Sequence, residues 1–241
     1  GVTATPQRGD NVRLSDVFDE VVFHYSILEG MKNDYLTKLI GYRLQTNTDI
    51  SSVKRSGDDY VVADLSKAVN TPERNKLVVN AYKEYLSDRP TFVFATDIAH
   101  AEALQEEFRQ QLISSDVILG TTSTLERGVA FARFRDKTLR VLINVGVLTE
   151  GIDEPSVSGI ILARPIGSPL LYTQIVGRGT RLSDAKSDCV VIDLADSTRG
   201  KKPLGLPSVV GLPPDFDLNG KDLLEAEEIV AKLAEKSPDE A

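Results

Sequence analysis

One Gln and two Arg in the C-terminal third of the sequence have a spacing that suits phosphate chemistry. Gln174, Arg178 and Arg181 stand at positions i, i+4 and i+7, which places side chains on one face of a helix. Guanidinium groups bind phosphate through paired hydrogen bonds and stay charged at any working pH, so this face suits phosphoryl transfer. Gly177 and Gly179 lie among them and indicate close backbone packing or an approaching ligand, because each Gly costs a helix about 1 kcal/mol. The alternative is a solvated basic helix face.

A second segment of interest lies upstream of the arginines. Residues 140–155 begin as an apolar run of strand length, break at Thr149-Glu150-Gly151 and continue to Asp153. Ligand-binding groups of α/β proteins lie outside the carboxyl ends of strands, so this turn is a candidate ligand site. Another apolar run follows at 158–163, and Ser168-Pro169 then supplies an N-cap and a first-turn Pro for the arginine helix.

Together these segments resemble motifs V and VI of the superfamily 2 DEAD/DEAH-box helicases and translocases. TEGID at 149–153 and QIVGRGTR at 174–181 carry the likeness, and the stretch 161–172 is similar to the DEAH-like, restriction-translocase-like branch. GVTATPQR at 1–8 resembles motif III, which closes the first RecA-like domain of the family. FVFATD at 92–97, followed by a helix at 100–108, resembles motif IV.

The resemblance covers residues 1–199 and keeps the order of the family's motifs. Residues 123–127 and 134–135 occupy the places of the Glu-Arg and Phe elements between motifs IV and V. The motif sequences are most similar to those of fungal mitochondrial helicases that act on branched double-stranded DNA, and to those of restriction-type translocases. The resemblance implies a RecA-like second domain of the P-loop NTPase class.

The family's nucleotide contacts can be carried over to matching positions. The resemblance implies that Arg178 and Arg181 reach across a cleft to the γ-phosphate of ATP, with Gln174 orienting that end of the site. Both arginine side chains are then expected to be largely exposed, because their phosphate partner lies on the other domain. Asp153 is expected to accept from the ribose hydroxyls, with Glu150 and Gly151 completing the loop. For Asp153 the alternative is a plain acidic turn.

The resemblance also implies nucleic-acid contacts and a coupling element. Thr96, Thr149 and Arg127 are candidates for contacts to nucleic-acid phosphates, which hydroxyl and guanidinium groups commonly bind. Thr96 has an equally weighted alternative as the N-cap of its helix. Thr3 and Thr5 are expected to couple the state of ATP to the strand-binding groove. The implied ligands are ATP with Mg²⁺ and a nucleic acid, with double-stranded or branched DNA favoured.

Two elements of the complete motor are absent from the sequence. It contains no G-x-x-x-x-G-K-[ST] phosphate cradle and no DExH acidic pair. In this family both belong to the first RecA-like domain, so we expect the chain to be an excised second domain that lacks ATPase activity alone. The alternative function is a RecA-like binding or scaffold module without a motor role. A dinucleotide-binding domain is disfavoured because the Gly-rich fingerprint is missing.

Composition agrees with a globular motor domain. The chain has 241 residues, 41% of them hydrophobic, and a net charge of −8. The negative net charge argues against nonspecific coating of nucleic acid by the whole surface but allows binding in a local basic groove. Basic residues concentrate at 127–140, and solvated charge is the preferred reading for those at 54–55 and 199–202. The single Cys189 indicates a buried strand thiol and a reducing, intracellular compartment, and the resemblance implies the mitochondrion or the nucleus. No metal site is expected, since His24 and His100 lack ligand spacing, and no apolar run is long enough to span a membrane.

Alternating strand and helix patterns predict an α/β fold with a mainly parallel sheet covered on both faces. We divide the chain into a first-domain remnant (1–20), a second RecA-like domain (21–199), and a linker with a C-terminal helix (200–241). A docked amphipathic helix is expected at 221–236 and disorder at 237–241. Strands are predicted at 21–25, 37–44, 60–63, 91–95, 116–119, 139–145, 158–162 and 188–194. Helices are predicted at 26–32, 71–86, 97–112, 122–134 and 168–179.

Overall fold

The computed structural model describes residues 19–20, 22–149, 152–198 and 202–236, with the backbone alone at 233–236. The predictions for the first-domain remnant, including Thr3 and Thr5, lie outside these residues. So do those for Glu150, Gly151 and the last five residues.

Within the described residues, a parallel sheet of six strands forms the centre of the fold, in the order β1-β8-β7-β4-β6-β5. This confirms the predicted fold class. A short antiparallel hairpin, β2–β3, stands apart from it. The strands are β1 (Lys38–Asp49), β2 (Arg55–Ser56), β3 (Asp59–Tyr60), β4 (Thr91–Phe94), β5 (Ser115–Ile118), β6 (Val141–Asn144), β7 (Gly159–Leu162) and β8 (Asp188–Ser197). The helices are α1 (Ile27–Lys32), α2 (Val62–Val69), α3 (Pro72–Tyr85), α4 (Ile98–Gln110), α5 (Thr124–Arg135), α6 (Pro169–Val176) and α7 (Leu223–Lys236).

The central strands are buried on both faces. Phe92 of β4 packs with Phe134 of α5 on one face, while the adjacent Val93 packs on the other face with Phe108 of α4. Successive side chains of a strand point to opposite faces, so an apolar run without alternation is what a doubly covered strand requires. Helices α1, α5, α6 and α7 therefore cover one face, and α3 and α4 cover the other.

Local signals explain where the helices begin. The predicted N-caps Thr71 and Ser168 each accept a backbone N–H of the first turn, and both precede a Pro at the start of the helix. Ser123 forms a capping box with Glu126 at the start of α5. These contacts satisfy backbone donors that a helix leaves unpaired at its amino end.

Three predictions for elements outside residues 140–181 are wrong. Residues 22–25 form no strand, because Val22 and Phe23 lie exposed without a neighbouring strand. The predicted strand at 60–63 is instead a two-residue strand followed by α2, which closes a small cluster with Ile50. The stretch 202–220 is more than a linker, since Leu206 and Leu218 are buried in the main core.

The C-terminal helix is docked as expected. Leu223 and Ala226 of α7 are fully buried, and Glu227 forms an ion pair with Lys32 of α1 at 2.7 Å. Just before α7, the backbone of Lys221 accepts from Gly41 of β1, so this segment covers the outer strand of the sheet. No helix in the described ranges combines the length and apolar character needed to cross a membrane.

Candidate functional site

The two arginines lie on a tight turn rather than on a helix face. Helix α6 ends at Val176 with Gly177 as its C-cap, and residues 177–181, here called the arginine turn, leave the helix. The prediction of one helix through residue 179, with Gln174, Arg178 and Arg181 on one face, is therefore wrong. Gly residues favour helix ends, and the Thr180 hydroxyl donates to the Gly177 carbonyl at 3.0 Å.

Close packing explains Gly179. A Cβ at this position would lie 2.5 Å from Sγ of Cys189 on β8, well inside ordinary van der Waals separation. The turn is thus pressed against the sheet. Of the two readings of this glycine, close backbone packing is supported.

Arg178 joins the arginine turn to the loop after β6, here called the β6 loop (residues 145–157). Its guanidinium donates from Nη2 to the Thr149 carbonyl at 2.5 Å and from Nη1 to the Ile152 carbonyl at 2.9 Å. The residue is half-buried, so the prediction of a largely exposed Arg178 is wrong. The physical reason is that its Nη1 and Nη2 groups donate to backbone carbonyls of its own domain rather than to a distant phosphate.

Arg181 is also half-buried, so the prediction that it would be largely exposed is likewise wrong, but its ion-pair partner is a carboxylate at the surface. Nε of Arg181 lies 3.1 Å from Oδ1 of Asp153, with side chains 33% and 85% exposed, respectively. Such an exposed pair is weak, typically below about 1 kcal/mol. The backbone around it is firmly held, because Thr37 donates its N–H to the Thr180 carbonyl and its hydroxyl to the Arg181 carbonyl, at 2.7 and 2.8 Å.

The acidic pair of the β6 loop has two different roles. Glu154 is 2% exposed and accepts from Arg135 Nε of α5 at 2.7 Å and from the Ser156 hydroxyl at 2.7 Å. It anchors the loop, a role that the sequence pattern did not reveal. Asp153 projects beside this anchor with an exposed carboxylate.

The remaining predicted contacts are engaged within the domain. Gln174 is half-buried on α6, two residues before its end. The Thr149 hydroxyl donates to the Gly146 carbonyl at 2.9 Å, and Arg127 donates to the Thr122 and Leu119 carbonyls at 3.1 and 2.8 Å. The Thr149 hydroxyl and the Nε and Nη2 donors of Arg127 are therefore engaged within the domain.

Thr96 is 2% exposed, with its hydroxyl 3.2 Å from Nδ1 of His100. The N-cap alternative for Thr96 is wrong, because Asp97 is the residue that caps α4. Burial lowers the pKa of His100 to about 3, so its ring is neutral near pH 7. This pair is part of the packed end of β4.

The basic stretch at 127–140 forms no continuous positive surface among the described residues. Three of its four arginines pair with carboxylates, which cancels their charge locally, while Arg127 bonds to backbone carbonyls. The pairs are Arg133–Asp116 at 2.7 Å, Arg135–Glu154 at 2.7 Å and Arg140–Asp88 at 3.3 Å. In the part of the chain that the structure describes, no group of three or more His, Cys, Asp or Glu is placed to hold a metal ion.

Comparisons with known proteins find similarity to helicases. Residues 73–183 match the family model of the helicase conserved C-terminal domain. IRC3 of Saccharomyces cerevisiae, whose name describes an ATP-dependent helicase, is 33% identical over 96% of this chain and 35% of its own length. The irc3 protein of Schizosaccharomyces pombe, named as a mitochondrial ATP-dependent helicase, is 33% identical over 89% of this chain and 36% of its own length.

A solved structure is similar over nearly the whole chain. It is a fragment of the HsdR subunit of a type I restriction enzyme from Vibrio vulnificus, with 25% identity, a TM-score of 0.60, and coverage of 91% of this chain and 42% of that chain. The present chain spans about a third of the length of the two curated relatives.

Proposed function

The chain carries the C-terminal domain of the superfamily 2 helicases, and from this premise we propose that it is the second motor domain of an ATP-dependent nucleic-acid helicase or translocase. A first RecA-like domain of the same protein would face it across a cleft. Closure of that cleft around ATP would bring the arginine turn to the phosphates, which links hydrolysis to movement along a backbone.

The observation that carries the proposal is the contact between the arginine turn and the β6 loop. Arg178 bonds to two carbonyls of the loop, and Arg181 pairs with the exposed Asp153. The two segments that resemble motifs V and VI thus form one surface. A movement of the nucleotide end of that surface would be transmitted to the loop directly.

We assign different roles to the two arginines. Arg181 is the residue proposed to reach the γ-phosphate, because its partner is a solvent-exposed carboxylate that a phosphate can replace. Arg178 is proposed to hold the turn against the β6 loop. Binding of nucleotide by both Arg181 and Asp153, with Asp153 on the ribose, requires that their ion pair opens. Gln174, Glu150 and Gly151 remain proposed contributors to this end of the site.

The residues present fit part of an ATP site. They offer guanidinium groups for phosphate, but the sequence has no phosphate cradle and the described residues offer no carboxylate cluster for Mg²⁺. We therefore propose that the first domain holds most of the nucleotide and its Mg²⁺. When ATP binds, the contribution of this chain is positive charge aimed at the transferred phosphoryl group.

The proposed partner is double-stranded or branched DNA. The relative named as a restriction-enzyme subunit supports DNA over RNA, and the one named as mitochondrial supports a mitochondrial location. Thr96, Thr149 and Arg127 remain proposed contacts, although each is engaged internally here. With a net charge of −8, binding must rely on a few local contacts, and its affinity should fall steeply with salt.

The test is the ATPase rate of the full-length protein with single-stranded, duplex or branched DNA, or with RNA. Replacing Arg181 with Ala should lower the stimulated rate by a factor on the order of 10³–10⁵. The matched control is Arg109→Ala on α4, whose guanidinium is exposed and pairs only locally with Glu106. A protein that binds nucleic acid but shows no stimulated hydrolysis would instead be a binding or scaffold module.

A further inference from the structure

Lys186 is a half-buried cation beside the arginine turn that the sequence motifs do not include. It lies in the loop between Arg181 and β8. Its Nζ donates to the Gly179 carbonyl at 2.8 Å and to the Val157 carbonyl at 2.5 Å. Gly179 belongs to the arginine turn, and Val157 ends the β6 loop. One ammonium therefore bridges the same two segments that Arg178 bridges.

The two bridges contact the β6 loop at different points. Arg178 bonds to the carbonyls of Thr149 and Ile152, whereas Lys186 bonds to that of Val157. One attachment allows a turn to pivot, but two separated attachments fix its orientation. The Gly179 carbonyl that Lys186 holds lies between the two arginines in sequence, so Lys186 fixes the turn just before the point where Thr37 holds the carbonyls of Thr180 and Arg181.

The surroundings keep Lys186 in place at an electrostatic cost. Burial lowers the pKa of its ammonium, the neighbouring Cys189 raises it, and the charge of Arg181 lowers it again. A cation that is partly removed from water and close to a second cation is destabilised unless hydrogen bonds to it compensate. The two carbonyl acceptors supply that compensation.

We propose that Lys186 is a positioning residue for the arginine turn, which holds Arg181 in the orientation that phosphoryl transfer needs. The inference rests on the proposed function for its catalytic consequence, but its structural part stands without it. Loss of Lys186 leaves Arg178 and the solvent-exposed Arg181–Asp153 pair to join turn and loop, and the ion pair must open if both of its members bind nucleotide. Misplacement of a catalytic group by about 1 Å can cost 10²-fold in rate.

The first arm of the test measures amide hydrogen exchange in the 241-residue chain. Lys186→Met should raise exchange at Arg178 and Gly179 about tenfold or more, since their turn loses an attachment, and leave α3 and β4 unchanged. The matched control, Lys83→Met, removes an exposed Lys on α3 that donates to Gln111, and should leave the turn unchanged. No change in the Lys186 variant, or a uniform rise throughout the chain, would overturn the proposal.

The second arm measures the nucleic-acid-stimulated ATPase of the full-length protein. Lys186→Met should lower kcat on the order of 10–100-fold and change KM for ATP less than about threefold, because the interaction lost acts in the transition state. Lys186→Arg keeps a charged donor and should recover much of the rate. An equal loss in kcat and KM, or no rescue by Arg, would count against positioning. If the wild-type protein hydrolyses no ATP, the proposed function fails while the exchange arm still decides the role of Lys186.

Discussion

Replacing Arg178 with Ala should destabilise the domain far more than replacing Arg181 with Ala. Arg178 donates two hydrogen bonds to carbonyls that lie 26 and 29 residues away in sequence, and bonds from a charged group contribute about 1.5–3 kcal/mol each when enclosed. Solvent reaches this half-buried site, so we expect a total loss of about 2–3 kcal/mol. For a chain of this size, that loss lowers the melting temperature by roughly 4–12 °C.

Arg181→Ala removes a pair in which one partner is 33% and the other 85% exposed. Its cost should stay below about 1 kcal/mol. The assay is thermal and urea unfolding of the 241-residue chain, followed by circular dichroism, for both variants and for Arg178→Lys. A point charge cannot reach both carbonyls as the guanidinium fork does, so Lys should recover only part of the loss. If Arg178→Ala and Arg181→Ala melt within a degree or two of each other, the division of roles between them is wrong.

Three further predictions concern the chain on its own. It should hydrolyse ATP no faster than buffer, even with DNA, because the phosphate cradle is absent; a stimulated rate that Arg181→Ala abolishes would refute this. Gly179→Ala should lower the free energy of unfolding by about 1–3 kcal/mol, because the added methyl group would clash with Cys189. The control Gly128→Ala, whose added methyl group meets nothing within 4 Å in α5, should leave that free energy unchanged or raise it. Urea unfolding of both variants measures the difference. Burial raises the pKa of Asp193 from 3.8 to about 6, so the stability that this carboxyl contributes is fully present below about pH 4 and is lost as the pH rises through 6. The difference in unfolding free energy between wild type and Asp193→Asn should therefore change by about 1–3 kcal/mol over that range. A difference that stays constant with pH would contradict this prediction.

The sequence predicted strands and helix starts best where they depend on residues that are neighbours in the chain. Buried runs such as 141–144 and 159–162 predicted parallel strands, and Ser168-Pro169 predicted the start of α6, because burial and capping depend on neighbouring residues. The helix predicted at 168–179 ends three residues early because Gly177 acts as its C-cap, and a Gly in a helical pattern can be either internal or terminal. The strand β1 was expected to stop at residue 44, but it continues to Asp49 because its polar end pairs with β8.

The candidate site was harder to predict because its contacts join distant backbone atoms. The motif residues Arg178, Arg181 and Asp153 do come together, but the acceptors of Arg178 are carbonyls, which carry no side-chain signature. The same holds for Lys186, whose partners are also carbonyls. Helical spacing suggested an exposed basic face, but tertiary contacts leave both arginines half-buried, Arg178 on two backbone carbonyls and Arg181 on the exposed Asp153.

The most direct test of the central claim is the affinity of the full-length protein for a mimic of the phosphoryl-transfer transition state. ADP with aluminium fluoride should be measured against ADP alone, at saturating DNA, for wild type and Arg181→Ala. If Arg181 acts on the transferred phosphoryl group, its loss should weaken binding of the mimic by about 100-fold or more and leave ADP affinity within about threefold. An unchanged affinity for the mimic, or an equal loss for the mimic and for ADP, would contradict the assignment of Arg181.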